Sequence, residues 1–191
     1  MLISPAKLSG QRGQALLGGA SASPLAKRLA SREGAPLGDV FSFVSGLYFR
    51  GKASYARAFA RAENGSPAAF VMTAGGGLLP LDERIHLERL RGWAAVSIHE
   101  DNPSFTAPLY RHASGLVDAH GAAARFVLLG SIATQKYVAP LLDVFAERLF
   151  FPSEFRGRGD MSRGSLLLRA VREARELDYA RVTAALGEGA A

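Results

Sequence analysis

Apolar residues fall along this 191-residue chain in compact clusters, and the spacing inside each cluster predicts its element. Four runs are short, non-alternating and rich in β-branched or aromatic residues: VFSFV at 40–44, FVM at 70–72, FVLL at 126–129 and LFF at 149–151. Strands buried on both faces read this way, so each run is expected to be a strand of a parallel sheet. Between them the period becomes helical. Residues 49–62 place Tyr55, Phe59 and several alanines on one face, with Arg50, Lys52, Arg57 and Arg61 outside. Residues 82–98 place Ile85, Leu87, Leu90, Trp93 and Ala94 inward. Asp82 and Glu83 then fall in the first turn, where the helix dipole favours them. Residues 134–145 repeat the design with Tyr137, Val138, Leu141, Leu142 and Phe145, and Pro140 falls within or just beyond the first turns. Strand–helix alternation predicts an α/β fold: a three-layer sandwich with a short, mostly parallel central sheet and helices on both faces.

The ends read differently. Residues 1–38 hold no Phe, Trp or Tyr and carry Lys7, Arg12, Lys27, Arg28 and Arg32 against Glu33 alone. With so little to bury, they are expected to form a basic, flexible N-terminal arm with one short helix near 24–31. That leaves residues 39–183 as a single α/β domain and 184–191 as a disordered tail. A hydrophobic share of 48% with 21% charged residues excludes wholesale disorder. The chain has no cysteine, which removes disulfides, thiolate metal sites and a cysteine nucleophile from consideration. No segment has the dense apolar core of a signal peptide or the ~20 apolar residues of a membrane span, so a cytoplasmic protein with no membrane partner is expected.

Charge adds a direction. Lys and Arg number 23 against 17 Asp and Glu, a net +6, which favours anionic partners such as nucleic acid, nucleotides or phosphorylated metabolites. In open parallel sheets, ligands bind outside the carboxyl ends of the strands. The expected strand exits collect glycines, hydroxyls and cations. The first offers Ser45, Gly46, Tyr48, Arg50 and Lys52; the third offers Gly130, Ser131, Thr134, Lys136 and Tyr137. Both place a lysine six residues after a glycine, where free helix amides and a point charge suit an anion. Capping by Ser45 and Ser131 is the alternative, and neither loop has P-loop or G-x-G-x-x-G spacing. The second exit, Gly75, Gly76 and Gly77, suggests either close backbone approach to a ligand or a plain connection.

The fourth exit carries the densest chemistry. Arg156, Arg158 and Arg163 surround Asp160 and Ser162 among three glycines. Guanidinium forks and glycine-rich backbone both suit phosphate or carboxylate. Asp160, between Arg158 and Arg163, is expected to remain ionised, which suits orienting a water or holding an arginine. A salt-bridged surface loop with Ser162 as N-cap is the structural alternative. Arg169, Arg172 and Arg175 follow at three-residue spacing on an amphipathic helix, placed to track a phosphate backbone or to face solvent. His86, His99, His112 and His120 form no HExxH motif, and no G-x-S-x-G occurs. Neither a metal nor a cofactor is expected.

Two resemblances accompany these residues. FVSGLYFRGK at 43–52 together with LFFPSEFRGRGDMSRG at 149–164 resembles a family of uncharacterised bacterial proteins, over most of residues 39–182. That likeness implies no activity. The order FVLLGSIA at 126–133, a helix, then Phe151-Pro152-Ser153 and a basic loop is similar to the uracil-DNA glycosylase-like fold over about 40 residues. In that fold a His-Pro-Ser loop inserts into DNA; here Phe151 stands at the histidine position. The water-activating motif has no match beyond a loose likeness of Ser45-Gly46-Leu47-Tyr48 to Gly-x-x-Pro-Tyr. The resemblance therefore implies the fold and nucleic-acid affinity more than base excision.

Together these features predict a nucleotide- or nucleic-acid-directed protein holding phosphate on the arginine/glycine loop. If it is catalytic, glycosidic-bond or nucleoside chemistry would use Asp160, Asp82 or Glu83, with Tyr48 stacking on a base. An enzyme acting on a phosphorylated or carboxylated metabolite, and a non-catalytic DNA- or RNA-binding protein, remain open beside it.

Overall fold

A computed structural model describes residues 1–19, 21–62 and 65–187 of the chain. It begins with a two-residue strand, β1 (Leu2–Ile3), followed by α1 (Gln11–Leu17), α2 (Pro24–Ala30) and a short β2 (Ala35–Pro36). Helices α3 (Leu37–Ser45) and α4 (Leu47–Phe59) meet at Gly46 and lead to a hairpin of β3 (Phe70–Thr73) and β4 (Gly77–Pro80). Then come β5 (Arg84–Ile85), α5 (Leu87–Ala94), α6 (Pro103–His120), β6 (Phe126–Leu129) and α7 (Gln135–Phe145). The chain closes with β7 (Leu149–Pro152), α8 (Asp160–Arg172), β8 (Tyr179–Arg181) and α9 (Val182–Gly187).

The six main strands form one sheet in the order β4-β3-β1-β6-β7-β8, while β2 and β5 pair separately. β1 lies parallel to both β3 and β6, with Ile3 opposite Val71 on one side and Leu129 on the other. β6 and β7 are also parallel, and the two edge strands β4 and β8 run antiparallel. From β1 the chain winds outward to β3, and from β6 it winds the opposite way to β7. Right-handed crossovers in opposite directions put their helices on opposite faces of the sheet. α4 accordingly packs on α8, and α6 packs on α7. The fold is the expected three-layer α/β sandwich.

Two expectations change. The segment 40–44 is helical, not a strand. Leu37, Val40 and Phe41 are buried at helical spacing, with Val44 partly buried on the same stripe. A five-residue apolar window cannot separate the two periods, and inclusion of Leu37 resolves it. The N-terminal segment is likewise no loose arm. Leu2 and Ile3 are fully buried at the centre of the sheet, Leu16 and Leu29 join the core, and Arg28 pairs with Asp39. The helix expected near 24–31 is α2, capped by the Ser23 hydroxyl accepting from the Ala26 amide. Of the expected tail, residues 184–187 belong to α9 and residues 188–191 lie outside the described residues. Among the described residues no helix is long and apolar enough to cross a membrane.

A close helix crossing organises one side of the sheet. α4 and α8 cross with Gly51 against Gly164: a Cβ on Gly51 would lie 2.8 Å from the Gly164 carbonyl oxygen, and one on Gly164 would lie 2.9 Å from Tyr48 Cα. Backbone meets backbone there, so the residues flanking the crossing are drawn together: Tyr48 and Lys52 on α4, Asp160 and Arg163 on α8.

The placement of β1 is testable. Ile3→Ala should cost about 2–5 kcal/mol, as large-to-small changes in a packed core do, and lower Tm by on the order of 10 °C for a chain of this size. Thermal unfolding measures it; an unchanged Tm would restore the mobile arm.

Candidate functional site

The strand winding reverses between β1 and β6, and open α/β sheets bind ligands outside the carboxyl ends of the strands at such a point. Ser4 follows β1 there. Its amide donates to the Leu129 carbonyl at 3.2 Å, extending the pairing by one step, and its side chain is buried. Lys52 reaches it from α4. The Lys52 Nζ donates to the Ser4 carbonyl at 2.9 Å and lies 2.8 Å from Ser4 Oγ. Lys52 is 1% exposed, and Nζ sits over the rings of Tyr48 and Phe49 at 4.4 and 4.9 Å. Among the described residues it makes no ion pair with a carboxylate.

A buried amine without a paired carboxylate favours its neutral form. Burial pushes Lys52 down to about 7; the Asp160 carboxylate opposes this, and Arg163 adds a smaller push downward. A neutral amine suits the contacts: one N–H satisfies the Ser4 carbonyl, and the lone pair is free to accept from the Ser4 hydroxyl.

Three further groups surround the pair. Gly130, just past β6, presents its backbone to Ser4, since a Cβ there would lie 2.8 Å from Ser4 Cβ and 3.0 Å from Oγ. The same Cβ would lie 3.2 Å from the Tyr137 hydroxyl, which donates to the Ser131 carbonyl at 3.0 Å. On the third side the Tyr48 hydroxyl is buried without a hydrogen-bond partner. Arg163 and Asp160 are the charges that act on it, and burial holds its phenol well above the ordinary range. Arg163 is pinned by two bonds to the Phe155 carbonyl, at 3.3 and 3.2 Å, and lies 3.5 Å from Asp160.

The expected site residues divide among several places. Tyr48, Lys52, Gly130, Ser131, Tyr137, Asp160 and Arg163 gather around the strand reversal. Tyr48 does not offer a stacking face: Lys52 Nζ covers its ring, and Phe155 packs edge-on at a centroid distance of 6.5 Å. Ser45 and Gly46 form the junction of α3 and α4 rather than a strand exit, and neither caps α4 through a side chain. Arg50 is exposed. Thr134 is the N-cap residue of α7, and Lys136 projects to solvent beyond it. Gly75, Gly76 and Gly77 make the β3–β4 turn against Trp93 and Pro108, where the Gly76 amide is already bonded to Thr73 Oγ1.

Asp82 and Glu83 depart furthest from expectation. They lie in the connection from β4 to β5, outside any helix, because α5 starts only at Leu87. β4 returns antiparallel, with Pro80 opposite Phe70, so Asp82 and Glu83 lie near the amino end of β3, at the far edge of the sheet from Ser4. Asp82 pairs with Arg57 at 2.8 Å and Glu83 with Arg89 at 3.2 Å. They are surface ion-pair residues.

The last place is the outer side of α8. Gly159, not Ser162, is the N-cap, and Ser162 instead accepts from Arg158 Nη1 at 3.0 Å. Arg158, Ser162, Ser165, Arg169 and Arg172 line an open groove of about 510 Å³ with no acidic residue in its lining. Arg156 leaves this row and sits over the Phe151 ring at 5.9 Å. Phe151 itself is fully buried, so the position that the glycosylase-like resemblance gives to a histidine is here a core residue.

Sequence reasoning missed Ser4. Its only signal is the pair Leu2-Ile3 before it, too short to register as a strand. In comparisons with family models, with curated proteins and with solved structures, nothing matches this chain.

The buried amine makes stability depend on pH. Lys52 sheds its proton near 7 in the fold but only near 10.5 in the unfolded chain. Between those values the unfolded state holds the extra proton, so stability rises with pH there, by at most about 1.4 kcal/mol per pH unit. Urea unfolding midpoints at pH 7 and 9 should show the rise, and Lys52→Met should reduce it, leaving the part due to the Met1 amine, which burial lowers from 8.0 to about 5. A wild-type profile that is flat over this range would mean that the amine stays charged in the fold.

Proposed function

We propose that this is a nucleotide- or nucleic-acid-directed protein that holds phosphate groups on its arginine-bearing edge. The observation that carries the reading is the groove along α8, where Arg158, Arg169 and Arg172 line one side with Ser162 and Ser165 and no acid intervenes. Planar guanidiniums and hydroxyls are the donors that phosphate oxygens accept. Among the described residues Arg169 and Arg172 have no carboxylate partner, so their charge is available to an external anion. The groove starts beside the loop after β7, at the N-terminal end of α8. The net charge of +6 and the remote glycosylase-like resemblance support the same reading.

Binding of a fluorescent single-stranded oligonucleotide, followed by anisotropy across a salt series, tests it. Affinity should fall steeply with salt, with a log–log slope of about −0.7 per phosphate contact. Arg169→Ala with Arg172→Ala should weaken binding uniformly across sequences and reduce the slope by about 0.7 for each arginine. A shallow slope with retained affinity for a nucleoside phosphate would move the reading to a small phosphorylated ligand. No binding of either kind would end it.

A further inference from the structure

The pair at the strand reversal has the geometry of a nucleophile and its base. We propose that Ser4 and Lys52 form a catalytic dyad, with Ser4 Oγ as nucleophile and Lys52 Nζ as general base, acting on a carboxylic ester carried by the phosphate-bearing ligand proposed above. The substrate class rests on that reading; the dyad itself does not.

Four observations carry it. Nucleophile and base lie 2.8 Å apart, and the base is oriented by a second bond, to the Ser4 carbonyl. That is the arrangement in which a hydroxyl is activated by an adjacent base. The pair stands where the parallel strands reverse their winding, the position from which such sheets act on ligands. Gly130 packs its backbone directly against Ser4, where a Cβ would fall 3.0 Å from Oγ, and so confines the hydroxyl beside Lys52. Finally, the Tyr48 hydroxyl is buried with no group accepting its proton, beside an Arg163 guanidinium that can only donate, on a residue that is 8% exposed and whose ring lies against Lys52. A buried hydroxyl costs free energy unless something accepts from it, and a developing oxyanion is such an acceptor.

The chemistry closes with water as the second reactant. Ser4 Oγ attacks the acyl carbon while its proton passes to Lys52 Nζ, and an acyl–Ser4 C–O bond forms. The bond to the leaving alcohol breaks, and that oxygen takes the proton from Nζ. Water then gives a proton to Nζ and attacks the acyl carbon. The acyl–Ser4 C–O bond then breaks, the acid leaves, and the proton on Nζ returns to Ser4 Oγ.

Charged and titratable groups reach the dyad from each neighbouring element: Tyr48 from α4, Asp160 and Arg163 from α8, and Tyr137 from α7. A structural role for Lys52, simply filling the space with its two bonds satisfied, would leave Ser4 unreactive.

The test uses the intact protein and an uncharged alkyl fluorophosphonate. The reagent bonds a serine oxygen to phosphorus with loss of fluoride and needs no phosphate site. Peptide mass spectrometry should place the adduct on Ser4, with a rate that rises with pH through neutrality and levels off. Ser4→Ala should abolish labelling, and Lys52→Met should slow it about 100-fold or more, the scale of a general base. Should Lys52→Met unfold, Ser4→Ala still decides the nucleophile, and the wild-type pH profile reports the base. The uncharged reagent reads the dyad and the oligonucleotide salt series reads the groove, so failure of one is distinguished from failure of the other. No adduct on folded wild type, an adduct elsewhere, or a rate independent of Lys52 would overturn the dyad.

Discussion

An amine removed from water must find its hydrogen bonds inside the protein, and Lys52 finds two of them on one residue, Ser4. Much of the structure around the strand reversal depends on that meeting. Ser4 must stand at the end of a buried central strand for its carbonyl and hydroxyl to face α4 together. Gly130 must lack a side chain, because a Cβ there would fall on Ser4. α4 must present its Tyr48–Lys52 turn to the sheet, and the Gly51–Gly164 crossing then sets α8 against the same turn. Arg163 and Asp160 arrive by that route, and they supply the charges that tune the amine.

The fold is legible in the sequence where elements are long enough to show a period. FVLL and LFF read as interior strands and are β6 and β7; the helical stripes through Tyr55 and through Tyr137 to Phe145 are α4 and α7. The failures share a physical origin. A strand of two residues such as Leu2–Ile3 has no period, and it gains its place from neighbours more than 60 positions away in the chain. Aromatic content also misleads there, since leucine, isoleucine and alanine fill the N-terminal part of the core without any ring. VFSFV fails the other way: taken alone it is a strand pattern, and only Leu37, three residues upstream of Val40, turns it into a helical stripe.

The site is legible in half its parts. The glycine–lysine loops and the arginine-rich exit contribute Lys52, Gly130, Tyr137, Asp160 and Arg163, all of which converge. The roles do not transfer. Local spacing makes Lys52 a surface cation, yet its position on α4 faces inward, one turn after Tyr48. The same reasoning makes Asp82 and Glu83 helix N-terminal acids, yet the antiparallel return of β4 carries them to the opposite edge, where arginines on neighbouring elements pair with them. A carboxylate's usefulness depends on which end of the sheet it reaches, and strand direction is a property of topology that local spacing does not encode.

Topology also explains how one edge accommodates two kinds of cationic group. Arginines on the outer side of α8 stay hydrated and permanently charged, which suits attraction of an anion at a distance. The lysine on the inner side is dry, and dryness is what lowers its proton affinity. The same helix crossing that brings Arg163 toward Lys52 also turns Arg169 and Arg172 away from it, so the charge that would gather a ligand does not flood the amine that would act on it. Placing a hydrated cation where Lys52 stands would keep the attraction and lose the base. Burying the groove arginines would cost the fold several kcal/mol each in desolvation. Segregation across the thickness of a single helix reconciles the two demands.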